Sequence, residues 1–309
     1  MQIILQLALL TLGFVMLVKG SDWFVDGAAG IAAKFRIPQI IIGLTIVAMG
    51  TSAPEAAVSI TAASAGSADI TVGNIVGSNI LNVLIILGLA SVIVPIAVGK
   101  ETIKIDAPFM IAISVIFLLL GWDGTITRVD GLIMLALFAA YIGYMIWEAL
   151  HSNEEGDEIK DSPVWKLLLA TVAGLGLVVL GADVAVDAAT KLATIFGMSE
   201  RFIGLTVVAL GTSLPELFTS VTAARKGNAD IAIGNIVGSN IFNILFVVGL
   251  SSMIINVPFA ANFRIDMIVA VAAALFLWAA SLKKGKLVRW HGAVMLLGYA
   301  GYFVYLLTQ

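Results

Sequence analysis

Two glutamates stand in apolar surroundings within nearly identical sequence contexts. Glu55 ends the motif GTSAPE and Glu216 ends the motif GTSLPE, and adding 161 to a position in the first copy gives its partner in the second. A carboxylate inside an apolar segment is costly, and such residues commonly mark ion pathways. The pair therefore predicts a cation site, and a structural role paired with a neighbouring donor is the alternative.

The residues just before each glutamate place further oxygen atoms beside it. Thr51 and Ser52 precede Glu55 by four and three residues, so on a helix the three side chains share one face. Pro54 has no N–H and its ring clashes with the carbonyl of Gly50, which predicts an opened helical turn with a freed carbonyl. In lipid, such a carbonyl is tolerated only where it is buried in protein or lines a hydrated cavity. Hard oxygen ligands are thus expected to converge at one depth.

A second motif, GNIVGSNI, also occurs twice. In the first copy Ser78 and Asn82 lie four residues apart and present polar oxygens to one neighbour, while Gly73 and Gly77 allow close helix contact. The equivalents in the second copy are Gly234, Gly238, Ser239 and Asn243. As alternatives to ion binding, the serine hydroxyls could bond to their own helix and the asparagines could serve only as hydrogen bonds between helices. The four helices that carry the two kinds of motif are expected to be broken and to meet near the middle of a membrane.

The composition places these motifs in a membrane protein. Of 309 residues, 60% are hydrophobic and only 12% are charged, whereas about a quarter of residues are charged in soluble domains. A net charge of −3 gives no sign of nucleic-acid binding, and the apolar runs leave no room for a soluble catalytic domain. There is no cysteine for a disulfide or a thiol nucleophile. The first apolar run lacks the features of a cleaved signal peptide and is interpreted as a membrane helix.

Charged and Gly/Pro-rich breaks mark off apolar segments of about 20 residues, enough to span a bilayer. The sequence predicts an all-α membrane protein with ten transmembrane helices, over residues 3–32, 40–65, 70–93, 103–121, 129–149, 164–194, 201–224, 231–254, 262–281 and 287–307.

The acidic segment 150–163 divides the chain into the five-helix halves 1–149 and 164–309. Because five is odd, the second half enters the membrane from the opposite side, and the halves are predicted to be inverted repeats, as in many secondary transporters. The segment is expected to be a solvated linker, and a calcium sensor is the alternative, which is disfavoured because the segment lacks the spacing of a calcium-binding loop. Lys and Arg counts place this linker in the cytoplasm and both termini outside the cell. The few external basic residues would be Arg128, Lys191, Arg201 and Arg264.

The donor atoms favour hard cations. Two carboxylates with carbonyls and waters can supply the roughly six to eight oxygens that Ca²⁺ takes, and hydroxyl and amide oxygens also suit Na⁺. Neither motif contains His or Cys, which argues against Zn²⁺ or Cu⁺. Competition of Ca²⁺ and Na⁺ for one set of oxygens would be an exchange mechanism.

The paired motifs GTSAPE and GTSLPE, each followed by GNIVGSNI, resemble the alpha repeats of the Ca²⁺/cation antiporter superfamily, particularly its Na⁺/Ca²⁺ exchanger branch. The resemblance covers all ten predicted spans and implies a non-enzymatic plasma-membrane antiporter, without a cofactor, in which Na⁺ drives Ca²⁺ export by alternating access. It indicates no protein partner, and the regulatory domain of animal relatives is absent. By position it implies ion ligation by the carbonyls of Ala48 and Ala209 and by the side chains of Thr51, Ser52, Glu55, Ser78, Asn82, Thr212, Ser213, Glu216, Ser239 and Asn243.

One position departs from that pattern, because exchangers of this type often carry aspartate where Asn243 stands. Two ionised glutamates alone balance one Ca²⁺ or two Na⁺, whereas a third Na⁺ would leave an uncompensated charge. This leads to the expectation that Na⁺ stoichiometry, electrogenicity or proton participation differs here. The main alternative is a Ca²⁺/H⁺ antiporter in which both glutamates accept protons, and a K⁺ requirement is left open. A passive channel and an intramembrane hydrolase are disfavoured, the latter because no histidine lies near either motif.

Four further carboxylates lie in or beside the predicted spans. Asp69 and Asp230 precede spans three and eight, where a carboxylate suits a helix N-terminus. Asp22 and Asp183 lie deeper in spans one and six and are predicted to serve either packing or gating. These two long spans are expected to slide across the four central helices.

Overall fold

The chain folds into a bundle of long helices in the computed structural model, which describes residues 2–151, 162–198 and 209–308. The helices are α1 Gln2–Phe35, α2 Gln39–Thr51, α3 Ala53–Ser64, α4 Ile70–Ile93, α5 Thr102–Asp123, α6 Arg128–His151, α7 Val164–Ile195, α8 Ala209–Gly211, α9 Leu214–Arg225, α10 Ala229–Ile254, α11 Phe263–Leu282 and α12 Arg289–Leu307.

Eight helices in the described ranges are long and apolar enough to cross a membrane, and α2 with α3 adds a ninth span that is bent by 49°. Their bounds agree with nine of the predicted spans to within a few residues. The remaining prediction, 201–224, and the acidic linker fall partly outside the described residues. The all-α, multi-pass membrane architecture is therefore confirmed at the level of eight to nine spans.

Helices α4 and α10 form the centre of the bundle. In their most apolar stretches, 78% of α4 and 94% of α10 is buried, against 22% in α1 and 17% in α12. The peripheral helices expose large apolar side chains such as Leu12, Trp147 and Leu297, which a lipid environment accommodates. The two GNIVGSNI motifs thus lie in the most enclosed part of the protein.

Helices α1 and α7 pack against each other along their length. A Cβ atom added to Gly174 would lie 2.4 Å from the backbone nitrogen of Phe24, and one added to Gly13 would lie 2.8 Å from the Cβ of Ala185. Small residues of this kind allow membrane helices to approach at backbone distance. The two long helices consequently form one closely packed pair.

The proline-containing motifs interrupt their helices as predicted. Ser52, with φ −83° and ψ 8°, separates α2 from α3, and Ser213, with φ −89° and ψ 4°, precedes α9. The prediction that the other two motif helices are broken is wrong, because α4 and α10 contain no proline and run without interruption. They instead contain π-helical turns over Asn82–Leu87 and Asn243–Val248, a distortion that often accompanies functional sites.

Two short strand pairs, absent from the prediction, connect the two halves of the chain. Strand β1 (Ile96–Ala97) pairs antiparallel with β4 (Lys286–Leu287), and β2 (Thr125–Ile126) pairs with β3 (Val257–Pro258). Adding 161 to the residue numbers of β1 and β2 gives those of β3 and β4. The second pairing is therefore the repeat equivalent of the first.

Candidate functional site

The two glutamates lie in one buried cluster. Glu55 is in the first turn of α3 and Glu216 is in the first turn of α9, and each is 1% exposed. Ser52 Oγ donates a hydrogen bond of 2.7 Å to Glu216 Oε1, and Ser213 Oγ donates one of 3.4 Å to Glu55 Oε1. Each carboxylate is therefore bound by a serine from the opposite half of the chain.

The central helices add further oxygens around the carboxylates. Ser78 Oγ of α4 donates to Glu55 Oε1 at 3.4 Å, and Ser239 Oγ of α10 donates to the Ala48 carbonyl at 3.4 Å. That carbonyl also accepts the backbone N–H of Ser52 at 3.0 Å. The cluster thus joins the two broken helices to the two continuous ones.

The threonine of each motif lies next to the glutamate of the other motif. Thr51 is fully buried beside Glu216, and its Oγ1 donates to Asn235 Oδ1 at 2.9 Å. Thr212 is half-buried beside Glu55. Ala209, the implied partner of Ala48, begins the short helix α8, and only its backbone is described.

Four side-chain oxygens of the predicted site residues are buried and accept no hydrogen bond from the part of the protein that the structure describes. They are Glu55 Oε2, Glu216 Oε2, Asn82 Oδ1 and Asn243 Oδ1. Buried polar atoms are normally paired, so each of these acceptors needs a donor or a cation. All four are hard oxygen atoms of the kind that Ca²⁺ and Na⁺ take.

A pair of asparagines that sequence reasoning missed connects α4 to α10. Asn79 Oδ1 accepts a hydrogen bond of 3.1 Å from Asn243 Nδ2, and Asn240 Oδ1 accepts one of 2.9 Å from Asn82 Nδ2. Asn79 and Asn240 occupy equivalent positions in the two GSN sequences. That equivalence was the signal that could have identified them.

Two further asparagines, also missed, attach the glutamate-bearing helices to the central ones. Asn74 Nδ2 donates to the Glu55 carbonyl at 3.2 Å. Asn235 Nδ2 donates to the Glu216 carbonyl at 3.4 Å. Because these asparagines bind the backbone of the glutamates, they hold α3 and α9 at a set depth along α4 and α10.

A cavity of about 630 Å³ lies between α3 and α7, on one side of the buried cluster. Asp183 and Asp187 of α7 line it together with Thr212. Asp183 is exposed at this cavity. From the sequence, this residue is predicted to serve either packing or gating. Thr212 is thus the predicted site residue that shares this cavity with a carboxylate.

In the equivalent region of the other half, a charge cluster joins α9 to α1. Lys226 Nζ, at the end of α9, lies 3.2 Å from Asp22 Oδ1 and 2.9 Å from Asp26 Oδ1 of α1. Ser21 and Thr222 join the same two helices through their hydroxyls at 3.0 Å. Asp22 and Asp26 are the repeat equivalents of Asp183 and Asp187, so the two ends of the α1 and α7 pair differ in this structure.

Comparison with known proteins agrees with this arrangement. The family described as sodium/calcium exchanger protein matches residues 5–147 and again residues 166–308. The putative antiporter CaxA of Alkalimonas amylolytica is 41% identical over 94% of this chain and 95% of its own length. The sodium/calcium exchanger MaX1 of Methanosarcina acetivorans is 32% identical over 96% of this chain and 97% of its own.

Solved structures of the sodium-calcium exchanger NCX_Mj have the same fold. One of them superposes with a TM-score of 0.87 at 34% identity, covering 98% of this chain and 99% of the other. Both the family match and these relatives span nearly the whole sequence. This chain therefore belongs to the sodium/calcium exchanger family.

Proposed function

We propose that this protein exchanges Na⁺ for Ca²⁺ across the cell membrane and normally exports Ca²⁺ on the Na⁺ gradient. The observation that carries the proposal is the buried pair Glu55 and Glu216, each of which keeps one carboxylate oxygen unpartnered among the described residues. Two carboxylates in a low-dielectric site are strongly unfavourable unless cations balance them. Membership of the exchanger family supports Ca²⁺ and Na⁺ as those cations.

We propose that the ions are held by both halves together. The proposed ligands are the carbonyls of Ala48 and Ala209 and the side chains of Thr51, Ser52, Glu55, Ser78, Asn82, Thr212, Ser213, Glu216, Ser239 and Asn243. The hydrogen bonds between Ser52 and Glu216 and between Ser213 and Glu55 support a shared site. Cations entering such a site would replace these hydroxyl contacts with shorter contacts to the same oxygens.

Purified protein in liposomes tests the function directly. We expect an outward Na⁺ gradient to drive Ca²⁺ uptake into Na⁺-loaded vesicles, and a pH gradient without Na⁺ to drive little. Ca²⁺ uptake that follows the pH gradient in the absence of Na⁺ would replace the proposal with Ca²⁺/H⁺ antiport through the same glutamates. Sustained Ca²⁺ conductance without any counter-ion would favour a channel.

We further propose the complete architecture of ten transmembrane helices in two inverted repeats, 1–149 and 164–309, joined by a cytoplasmic linker, with both termini extracellular. Equivalent contacts support the repeat. The hydrogen bond between Asn82 and Asn240 has its counterpart between Asn243 and Asn79, and the two strand pairs are related in the same way. Such reciprocal contacts are what a two-fold relation between the halves produces.

Alternating access is proposed to use the closely packed pair α1 and α7 as a moving unit. Two observations support this proposal: the cavity on one side is lined by Asp183 and Thr212, and on the other side Lys226 forms ion pairs that join α9 to α1. Lys226 has no counterpart in the first half, where its equivalent is Ala65. The side that holds Lys226 is proposed to be closed, and opening it requires these ion pairs to separate.

Replacing Lys226 by methionine should therefore make the closed side open more readily. The ion pairs are partly solvent-exposed, so their loss is worth roughly 1 kcal/mol, which corresponds to about a fivefold change in the equilibrium. The protein has no cysteine, so Ser21→Cys would introduce a single thiol at the contact between α1 and α9. The rate at which this thiol is labelled reports how often the two helices separate. We expect a thiol reagent to label this cysteine about fivefold faster when Lys226→Met is also present.

The control is Lys191→Met, which removes an ion pair of the same type between Lys191 and Asp187 within a single helix. That variant should leave labelling of the Ser21→Cys protein unchanged. Equal labelling rates in the Lys226→Met and unmodified backgrounds would show that the cluster does not hold the side closed.

A further inference from the structure

Four asparagines at the centre of the bundle form a crossed arrangement of hydrogen bonds, and the proposed ligand set includes only two of them, Asn82 and Asn243. We propose that Asn79 and Asn240 are positioning residues, each of which orients a ligand of the opposite half, Asn243 and Asn82 respectively. The inference rests on the proposed function, because it assumes that Asn82 and Asn243 bind the transported cation. It assigns a role to two residues that do not themselves contact the ion.

The first step is the orientation of the side-chain amides of Asn79 and Asn240, here called the inner amides. Asn79 Nδ2 donates to the backbone carbonyl of Asn240 at 3.3 Å, and Asn240 Nδ2 donates to the backbone carbonyl of Asn79 at 3.2 Å. A backbone carbonyl can only accept, so the nitrogen of each inner amide must point towards it. Both residues are 4% exposed, so water does not compete for these contacts.

In the second step, the inner amides fix the orientation of the side-chain amides of Asn82 and Asn243, here called the outer amides. With their nitrogens committed, Asn79 and Asn240 present Oδ1 to the Nδ2 groups of Asn243 and Asn82, at 3.1 and 2.9 Å. Reversing either outer amide would place two acceptor oxygens against each other in a buried site, which costs the hydrogen bond and adds repulsion.

The third step concerns where the outer oxygens are left. Asn82 and Asn243 are 1% and 0% exposed, and the Oδ1 atom of each accepts no hydrogen bond within the described ranges. The same is true of one oxygen of each buried glutamate. The crossed arrangement therefore directs two neutral acceptors, with their lone pairs free, towards a cation. Groups that orient a metal ligand in this way commonly change metal affinity by about 10- to 100-fold.

A double-mutant cycle tests the crossed assignment, with Ca²⁺ binding to the purified full-length protein measured by titration in Na⁺-free buffer. We expect Asn79→Ala and Asn243→Ala each to weaken Ca²⁺ binding by roughly 10- to 100-fold. Because Asn79 acts only through Asn243, the double variant should bind Ca²⁺ as Asn243→Ala does, to within about twofold. Asn79→Ala combined with Asn82→Ala should instead show the product of the two single effects.

Independent effects of Asn79→Ala and Asn243→Ala would overturn the positioning role, as would a loss of thermal stability without a change in Ca²⁺ affinity. If Asn79→Ala does not fold, Asn240→Ala carries the test, because Asn240 Oδ1 accepts the hydrogen bond from Asn82 Nδ2. Combined with Asn82→Ala, it should weaken Ca²⁺ binding no further than Asn82→Ala alone, to within about twofold, and independent effects would overturn the proposal. Failure of the unmodified protein to bind Ca²⁺ would instead refute the proposed function.

Discussion

Glu55→Gln and Glu216→Gln are each expected to abolish Na⁺-driven Ca²⁺ uptake. Each substitution keeps the size of the side chain and an oxygen that can accept the serine hydrogen bond, so the fold should persist. It removes one negative charge and replaces the unpartnered Oε2 with an amide nitrogen that cannot bind a cation. Two unit charges about 4 Å apart attract by roughly 4 kcal/mol at an effective dielectric constant near 20, and the attraction to divalent Ca²⁺ is larger. Losing this contact corresponds to Ca²⁺ binding that is weaker by about a thousandfold or more.

The measurement is uptake of radioactive Ca²⁺ by proteoliposomes, with Ca²⁺ titration of the purified variants. Glu101→Gln provides the matched control, because the same chemical change is made at an exposed position at the start of α5. It should transport at the unmodified rate. Normal transport by either site variant would refute the role assigned to that glutamate.

Much of this architecture could be predicted from the sequence because membrane spans have a strong signal. The lengths of the apolar runs predict the bounds of α1, α4 and α10 to within a few residues. The proline that follows two hydroxyl residues predicts the interruption found at Ser52. The duplicated motifs also indicate that Glu55 and Glu216 belong together. The structure places a serine of each motif on the glutamate of the other.

Other features have no comparable signal. The π-helical turn at Asn82–Leu87 and the two-residue strands depend on packing between elements that are distant in the chain. The cluster around Lys226 depends on the depth at which α9 meets α1. In a membrane sequence a lysine near a span end is already explained by its position at the interface, so nothing in the sequence separates this one from the others.

Asn243 shows how a contact changes the interpretation of a single residue. From the sequence alone, asparagine at this position looks like a lost negative charge. In the structure its Nδ2 donates to Asn79 Oδ1 at 3.1 Å, and an aspartate could make that hydrogen bond only while protonated, and therefore neutral. Asparagine and protonated aspartate would then give the site the same charge. The expectation of an altered Na⁺ stoichiometry consequently depends on whether this hydrogen bond persists during transport, which the charge moved per Ca²⁺ would report.

The second large effect is expected from Gly238→Val on α10. A Cβ atom at this position would lie 2.4 Å from the Leu44 carbonyl oxygen and 2.7 Å from the Ala48 Cβ, so α2 must move away from α10. The glycine is therefore required for close helix contact, as predicted from the motif, and so is Gly234, where a Cβ would lie 2.9 Å from the Gly43 Cα. The same prediction is wrong for Gly73 and Gly77, because an added Cβ would meet only Phe263 at 3.5 Å in the first case and no described atom within 4 Å in the second. Because the side chain added in Gly238→Val meets backbone, which cannot move aside easily, we expect a loss of stability at the upper end of the usual range for overpacking, about 3 kcal/mol.

The displacement should also damage the proposed ion site, because Ser239, next to Gly238, donates to the Ala48 carbonyl. We expect Gly238→Val to lower the unfolding temperature in detergent and to remove the additional stabilisation that Ca²⁺ gives to the unmodified protein. Gly143→Val is the control, since Gly143 is an exposed helical glycine of α6 with no described atom within 4 Å of an added Cβ. It should change neither quantity appreciably. If Gly238→Val unfolded at the unmodified temperature and still gained stability from Ca²⁺, the close contact between α2 and α10 would not be what holds Ala48 at the site.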